Sequence, residues 1–132
     1  MTNTPLSILL VSPEHEKLQM AAMMASIGAV SERPVCMLVS MNALPCFERG
    51  LAADDAYVGG HMSGLMKEKG APDAFDLLRQ GKMLGEMEIY ACSMALDVLG
   101  WEIGNLVDDL FDGPLGLTKF LDDAEAGQIV TL

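Results

Sequence analysis

Three cysteines, Cys36, Cys46 and Cys92, are the side chains of this sequence best suited to covalent chemistry. Their spacing contains no close pair of the kind that binds zinc. Cys92 follows the apolar run 87–91 and precedes Ser93–Leu99, a predicted short helix that Gly100 would end. A thiol at such a strand-to-helix junction is held by two regular elements, so Cys92 is the first candidate for a nucleophile.

The reactive form of a cysteine is its thiolate. Backbone N–H groups in the first turn of the predicted helix favour a thiolate at Cys92, whereas Asp97 and the overall negative charge oppose it. Distant charges are screened over roughly 8 Å at physiological salt, so we expect the nearby helix terminus to prevail modestly. A free cysteine is also a common small core residue, and the residue types alone leave both interpretations open.

The other candidate residues have an ordinary structural interpretation beside the chemical one. Cys46 follows a proline in the loop after the second strand and is a candidate second thiol, although an incidental loop position is commoner. His61 follows two glycines and is a candidate to assist Cys92, although a surface role is commoner. Cys36 is expected to fill the core, and His15 is expected to be a solvated residue in the first turn of a helix.

Strands and helices alternate along the chain. Apolar runs predict strands at 6–11, Val35–Val39, 87–91, 106–110 and 128–132. Helices are predicted from a cap at Ser12 to about Ile27, where Gly28 would end the helix, around His61–Lys69, and at 73–84, Ser93–Leu99 and 117–126. This alternation predicts an α/β fold with three layers, a mostly parallel five-stranded sheet with helices on both faces.

Parallel sheets bind their ligands beyond the carboxyl ends of the strands. Those ends fall at Ser12, at residues 40–42, at Cys92 and at the turn 112–116. The turn after the first strand lacks the glycines of a dinucleotide site, and no loop has the glycines and lysine that cradle a phosphate. A phosphate-accepting receiver needs a carboxylate after the third strand, where Cys92 stands instead. These three classes of site are therefore set aside.

The charge excludes further functions. The chain has 19 acidic and 8 basic residues, a net charge of −11, which repels nucleic acid and anionic membrane surfaces. No segment has the roughly 20 apolar residues that span a bilayer, and the apolar start is too short for a secretory signal.

We expect one cytoplasmic domain over residues 1–132, with its cysteines reduced. Its first helix is apolar on nearly every side, which favours contact with another subunit.

The residues around Cys92 form a specific pattern. The pattern begins at Gly85 and continues, in order, with an aliphatic strand, the pair Ala91-Cys92, a serine, a methionine, Asp97, a hydrophobic pair and Gly100. This pattern resembles the DsrE/DsrF-like sulfurtransferase family, most of all its peroxiredoxin-like DsrE branch. The likeness extends over most of the chain. It departs after the second strand, where residues 41–47 replace an aromatic-rich stretch.

The resemblance implies a DsrEFH-like fold, a single DsrE-like domain, and a homo-oligomer, either a trimer or a hexamer. Cys92 matches the cysteine that carries sulfur in this family. The partners it implies are a TusA-like sulfur carrier or a rhodanese. The chemistry requires no metal and no organic cofactor.

Three functions compete at this point. The leading hypothesis is a sulfur carrier of the sulfurtransferase type, which holds sulfane sulfur on Cys92 as a persulfide or thiosulfonate and passes it to partner proteins. The second is a thiol redox protein in which Cys46 is the resolving thiol. The third is a non-catalytic, oligomeric module that binds a small molecule and merely buries Cys92.

Overall fold

The computed structural model describes residues 3–51 and 53–132. Its strands are β1 (Leu6–Leu10), β2 (Val35–Val39), β3 (Met87–Cys92), β4 (Gly113–Leu115) and β5 (Gln128–Thr131). Its α-helices are α1 (His15–Val30), α2 (Ala53–Ala56), α3 (His61–Lys69), α4 (Ala74–Leu84), α5 (Ser93–Leu99) and α6 (Leu117–Asp123). Short 3₁₀ helices cover Met41–Phe47 and Ile103–Asn105.

The five strands form one parallel sheet in the order β4-β3-β2-β1-β5. Val39 pairs with Leu10 on one side and with Ala91 on the other, so the three central strands end almost level. Their carboxyl ends form a single edge, and Cys92 lies on it as the last residue of β3. The predicted α/β fold with its parallel five-stranded sheet is confirmed.

The strand order determines which helices cover each face of the sheet. From β1 to β4 the chain moves in one direction, and from β4 to β5 it returns across the whole sheet. Crossovers between parallel strands are right-handed, so the returning helix α6 lies on the face opposite to α1 and α4. The helices α1 and α4 pack against each other over the first face, and α6 buries Phe120 against the second.

The first helix begins later than predicted. Glu14 is its N-cap, and the Ser12 hydroxyl accepts a hydrogen bond from the Glu14 N–H over 3.1 Å instead of capping the helix. The predicted start at Ser12 was therefore wrong. The residues before His15 remain extended because Glu14 pairs with Val58 in a short bridge.

The first helix also continues through Gly28 to Val30, although Gly28 was predicted to end it. A β-carbon at Gly28 would lie 3.1 Å from Val35 Cγ2 and 3.3 Å from Leu6 Cδ2. The glycine therefore lets the helix lie close to two strands, and close packing rather than termination explains its position.

The predicted strand at 106–110 was wrong. Leu106 and Leu110 are fully buried, which explains the apolar signal, but the backbone between them is irregular. Asp109 has φ +67°, a left-handed conformation that a strand cannot contain. The fourth strand is β4, at the glycine-rich turn that follows.

The helix predicted at His61–Lys69 is confirmed as α3. The Glu16 carboxylate of α1 accepts hydrogen bonds from the Gly60 and Ser63 N–H groups, each over 3.0 Å. These N–H groups lie at the start of α3, where no carbonyl of the helix is available to accept from them. Glu16 thus ties α3 to α1, and these hydrogen bonds, led by the one from Ser63, lower the pKa of its carboxyl group.

The described residues contain no helix that is long and apolar enough to cross a bilayer. The longest, α1, has 16 residues, whereas a spanning helix needs about 20.

The close approach at Gly85 predicts the effect of a single methyl group. A β-carbon there would overlap the Ala29 carbonyl group at the end of α1. We expect Gly85→Ala to lower the free energy of unfolding by about 1–3 kcal/mol, measured by urea denaturation.

Gly64→Ala is the matched control, because Gly64 lies in α3 with open space at its β-carbon position. We expect it to leave stability unchanged or to raise it by up to about 1 kcal/mol. Equal stability of Gly85→Ala and the wild type would contradict the close packing of α1 against the turn after α4.

Candidate functional site

Cys92 joins the end of β3 to the start of α5. It is the N-cap residue of α5, with extended backbone angles of φ −61° and ψ 123°. Ala95 and Leu96 anchor the short helix in the core, and Gly100 ends it in the left-handed conformation. The predicted helix Ser93–Leu99 and its glycine terminus are confirmed. The thiol is therefore attached to backbone that two elements hold in place.

The side chain of Cys92 is only 5% exposed. Its sulfur accepts no capping hydrogen bond from the first turn of α5. Cys92 lines a groove of about 590 Å³ at the carboxyl edge of the sheet. Cys92 is consequently almost fully buried and has its remaining free space in the groove that it lines.

The groove is mostly apolar. Its apolar side chains come from the ends of β1 and β2, the segments that follow them, α5 and the start of α6: Leu9, Val11, Leu38, Met41, Met94 and Leu117. Ser40, Ser93 and Asp97 are its polar side chains. Among the described residues that line it, Asp97 is charged and none is cationic. An anion in this groove would lose hydration without gaining a cationic side chain among these described residues.

Cys46 lies elsewhere. Its thiol is 3.6 Å from the Asn42 carbonyl oxygen and 4.0 Å from that of Pro13, within weak hydrogen-bond range of both. It borders a separate cavity of about 120 Å³, which Cys92 does not line. Burial raises the pKa of the Cys46 thiol. The structure therefore does not bring the proposed resolving thiol into the groove of Cys92.

Cys36 is half-buried rather than fully enclosed in the core. Its position in β2 places it on the same sheet face as Leu38, but in a different groove, which Glu88, Tyr90 and Asp123 also line. Burial, followed by the negative charges of Glu88 and Asp123, raises the pKa of Cys36 to about 11. Its thiol therefore remains protonated at neutral pH.

His61 is exposed at the start of α3 and lines neither the groove of Cys92 nor the cavity of Cys46. The structure thus gives no contact through which it would assist Cys92. The turn 112–116 contributes Gly116 to the groove, whereas the Asp112 carboxylate pairs with Lys82 over 2.6 Å.

His15 was expected to be solvated, and this was wrong. It is 6% exposed, its Nδ1 lies 2.5 Å from Ser63 Oγ, and its ring stacks on Tyr57 with centroids 4.0 Å apart. Burial, followed by the charge of Lys67, lowers the pKa of His15. Sequence spacing gave no signal for this contact, because Ser63 and Tyr57 belong to the connection between β2 and β3.

The described residues contain no group of three or more His, Cys, Asp or Glu side chains placed to hold a metal ion. A family model described as the DsrE/DsrF/DrsH-like family matches residues 7–132, nearly the whole chain. No curated protein matches the chain.

The surroundings of Cys36 predict that its thiol reacts slowly with alkylating agents. With its pKa raised from 9.0 to about 11, its thiolate fraction at neutral pH falls about a hundredfold. In the double variant Cys46→Ser/Cys92→Ser, we expect alkylation of Cys36 by iodoacetamide to be slower in the native protein than in urea by at least that factor. Mass spectrometry of quenched samples measures both rates.

The double variant Cys36→Ser/Cys92→Ser provides the comparison. Cys46 is also expected to react more slowly in the native protein, because its pKa is raised by burial without the acidic neighbours of Cys36. Added salt should therefore speed Cys36 more than Cys46. Equal native and urea rates for Cys36 would show that neither its burial nor its acidic neighbours raise its pKa in the folded protein.

Proposed function

Because the chain belongs to the DsrE/DsrF/DrsH-like family, we propose that it is a sulfur carrier that holds sulfane sulfur on Cys92 and passes it to partner proteins. The observation that carries the proposal is the position of Cys92 on the wall of an open groove at the carboxyl edge of the sheet. The raised pKa values of Cys36 and Cys46 make those thiols poor alternatives.

Loading is a sulfur transfer without net oxidation. The Cys92 thiolate attacks the outer sulfur of a donor R–S–SH, a new S–S bond forms, and the S–S bond of the donor breaks with its electron pair on R–S⁻. Cys92 then carries the terminal sulfur and its hydrogen as S–SH. Attack by a partner thiolate on that terminal sulfur returns Cys92 to the thiolate. Neither step needs a metal or an organic cofactor.

The acceptor we propose is a protein thiol, and a protein donor would be the persulfide of such a thiol, of the kind found in TusA-like carriers and rhodaneses. Met41, Met94 and Leu117 at the groove are each about half-exposed, so a docking protein would meet an apolar rim. A carrier thiol must also stay reduced between transfers, so we propose a cytoplasmic location.

We also propose that the protein is a homo-oligomer, a trimer or a hexamer. The outer side of α1 exposes large apolar side chains at Met20, Met23, Ile27 and Val30. Three of them border a groove of about 650 Å³ that includes Ile129 of the edge strand β5. A contiguous apolar surface beside an unpaired strand edge is typical of an interaction site.

Sulfur loading tests the carrier function. After incubation with excess inorganic polysulfide to end point, we expect intact-mass spectrometry to show sulfur atoms added to the wild type, and alkylated peptides to place them on Cys92. Cys92→Ser should lose this uptake, whereas Cys36→Ser and Cys46→Ser should keep it. If Cys92→Ser still loads fully while Cys46→Ser loses sulfur uptake, the carrier is Cys46 and the proposed assignment to Cys92 is wrong.

Light scattering tests the assembly. We expect a mass above that of the monomer at micromolar concentration, and we expect Ile27→Glu to shift it toward the monomer, because Ile27 is 60% exposed on the apolar side of α1. Met83→Glu is the control, since Met83 is 82% exposed on α4, outside that groove. A wild type that is monomeric would contradict the proposed oligomer.

A further inference from the structure

Ser40 is a buried polar residue whose hydroxyl faces the groove of Cys92. It is 5% exposed and lines the groove at the end of β2. No group in the described part of the chain forms a hydrogen bond with its hydroxyl, and no fully enclosed side-chain oxygen there lacks a partner. The hydroxyl must therefore open onto the groove, where it is available to a ligand. A hydroxyl removed from bulk water in this way gains from a bound partner.

The sheet register places Ser40 beside Cys92. Val39 and Ala91 are paired, and the residue that follows each of them is Ser40, directly after β2, and Cys92, the last residue of β3. Neighbouring strands lie about 4.8 Å apart, and both side chains face the groove. The Ser40 N–H donates to the Leu10 carbonyl oxygen over 2.9 Å, which holds the backbone of Ser40 in place. A molecule reacting at Cys92 would therefore lie within reach of the Ser40 hydroxyl.

The walls of the groove disfavour a charged donor. Leu9, Leu38 and Leu117 supply apolar surface, and Asp97 supplies a negative charge. Anionic sulfur compounds such as tetrathionate would be repelled by Asp97 and would find no cation among the described lining residues. An uncharged molecule with apolar groups would bury those groups against the leucines.

We propose that the groove takes an uncharged polysulfane, a short sulfur chain closed by apolar groups, and that the Ser40 hydroxyl donates a hydrogen bond to the sulfur that leaves. This inference rests on the proposed carrier function of Cys92 and adds to it a class of small-molecule donor and a second catalytic group.

A trisulfide R–S–S–S–R is a simple donor of this class. The Cys92 thiolate attacks the central sulfur, one S–S bond forms, and one S–S bond of the donor breaks. Cys92 then carries the mixed trisulfide Sγ–S–S–R, and R–S⁻ leaves with the electron pair and takes a proton from solvent. Negative charge develops on the leaving sulfur, where a hydrogen bond from Ser40 lowers the barrier. No net oxidation occurs, because the thiol released balances the thiol consumed.

The test compares rates with dipropyl trisulfide and with tetrathionate, each divided by the rate with free N-acetylcysteine. We expect the normalised preference of Cys92 for the trisulfide to be at least about tenfold. Asp97→Asn should raise the tetrathionate rate roughly threefold and leave the trisulfide rate nearly unchanged. A normalised preference for tetrathionate would overturn the proposed donor class.

Substitution of Ser40 tests the hydrogen bond. We expect Ser40→Ala to slow the trisulfide reaction by roughly five- to tenfold, and Ser40→Thr, which keeps the hydroxyl, to recover most of the rate. Iodoacetamide has no leaving sulfur, so the rate at which it alkylates Cys92 should stay within about twofold of the wild-type rate in both variants. Ser7→Ala is the matched control, since Ser7 is 4% exposed on the same sheet face but lines the groove of Cys36.

The outcomes separate this inference from the proposed function. If Cys92 takes up sulfur but Ser40→Ala reacts like the wild type and like Ser7→Ala, the role of Ser40 is overturned and the carrier function stands. Equal slowing of iodoacetamide and trisulfide in Ser40→Ala would also overturn it, because a structural effect on Cys92 would explain both. If Cys92 takes up sulfur from neither the trisulfide nor polysulfide, the carrier function itself fails.

Discussion

The pairing of Val39 with Leu10 on one side and with Ala91 on the other determines the geometry of the whole candidate site. It makes three parallel strands end at one level, so the residues after them share one edge. A shift of one residue in either pairing would turn Ser40 or Cys92 to the opposite face, because side chains alternate along a strand. The groove, its thiol and its hydroxyl therefore depend on a register that buried apolar residues of the core maintain.

The groove remains open because the two faces of the sheet are covered unequally. One face carries α1 and α4, which have 16 and 11 residues. The return from β4 to β5 must cross about 19 Å of sheet, four strand spacings of about 4.8 Å. The seven residues of α6 span only about 10 Å. Phe120 anchors that helix in the core. The part of the sheet face that α6 is too short to cover, next to its first residue Leu117, forms the groove.

The sequence predicted those features whose causes are local. The bounds of β2, α3 and α5 followed from apolar runs and glycine positions, and they match the structure. Long-range contacts explain the failures. Gly28 looks like a helix terminator until Val35 and Leu6 are seen to pack against it. His15 looks solvated until Ser63 and Tyr57 cover it.

The location of Cys92 on the edge was predictable from its place after a buried strand, whereas the separate location of Cys46 depended on how residues 41–47 fold.

A sulfur-carrying thiol must satisfy two opposing requirements, protection from bulk solvent and room for an added sulfur atom. Cys46 meets the first but lies within weak hydrogen-bond range of two carbonyl oxygens, and it borders a cavity of only about 120 Å³. Cys36 has more space nearby, but burial and, after it, acidic neighbours raise its pKa to about 11 and keep it protonated. Cys92 combines 5% exposure with a groove of about 590 Å³, so a sulfur atom bound to it extends into existing space. Burial of the thiol and reactivity of the thiol, which the residue types alone left as alternatives, are therefore compatible at this position.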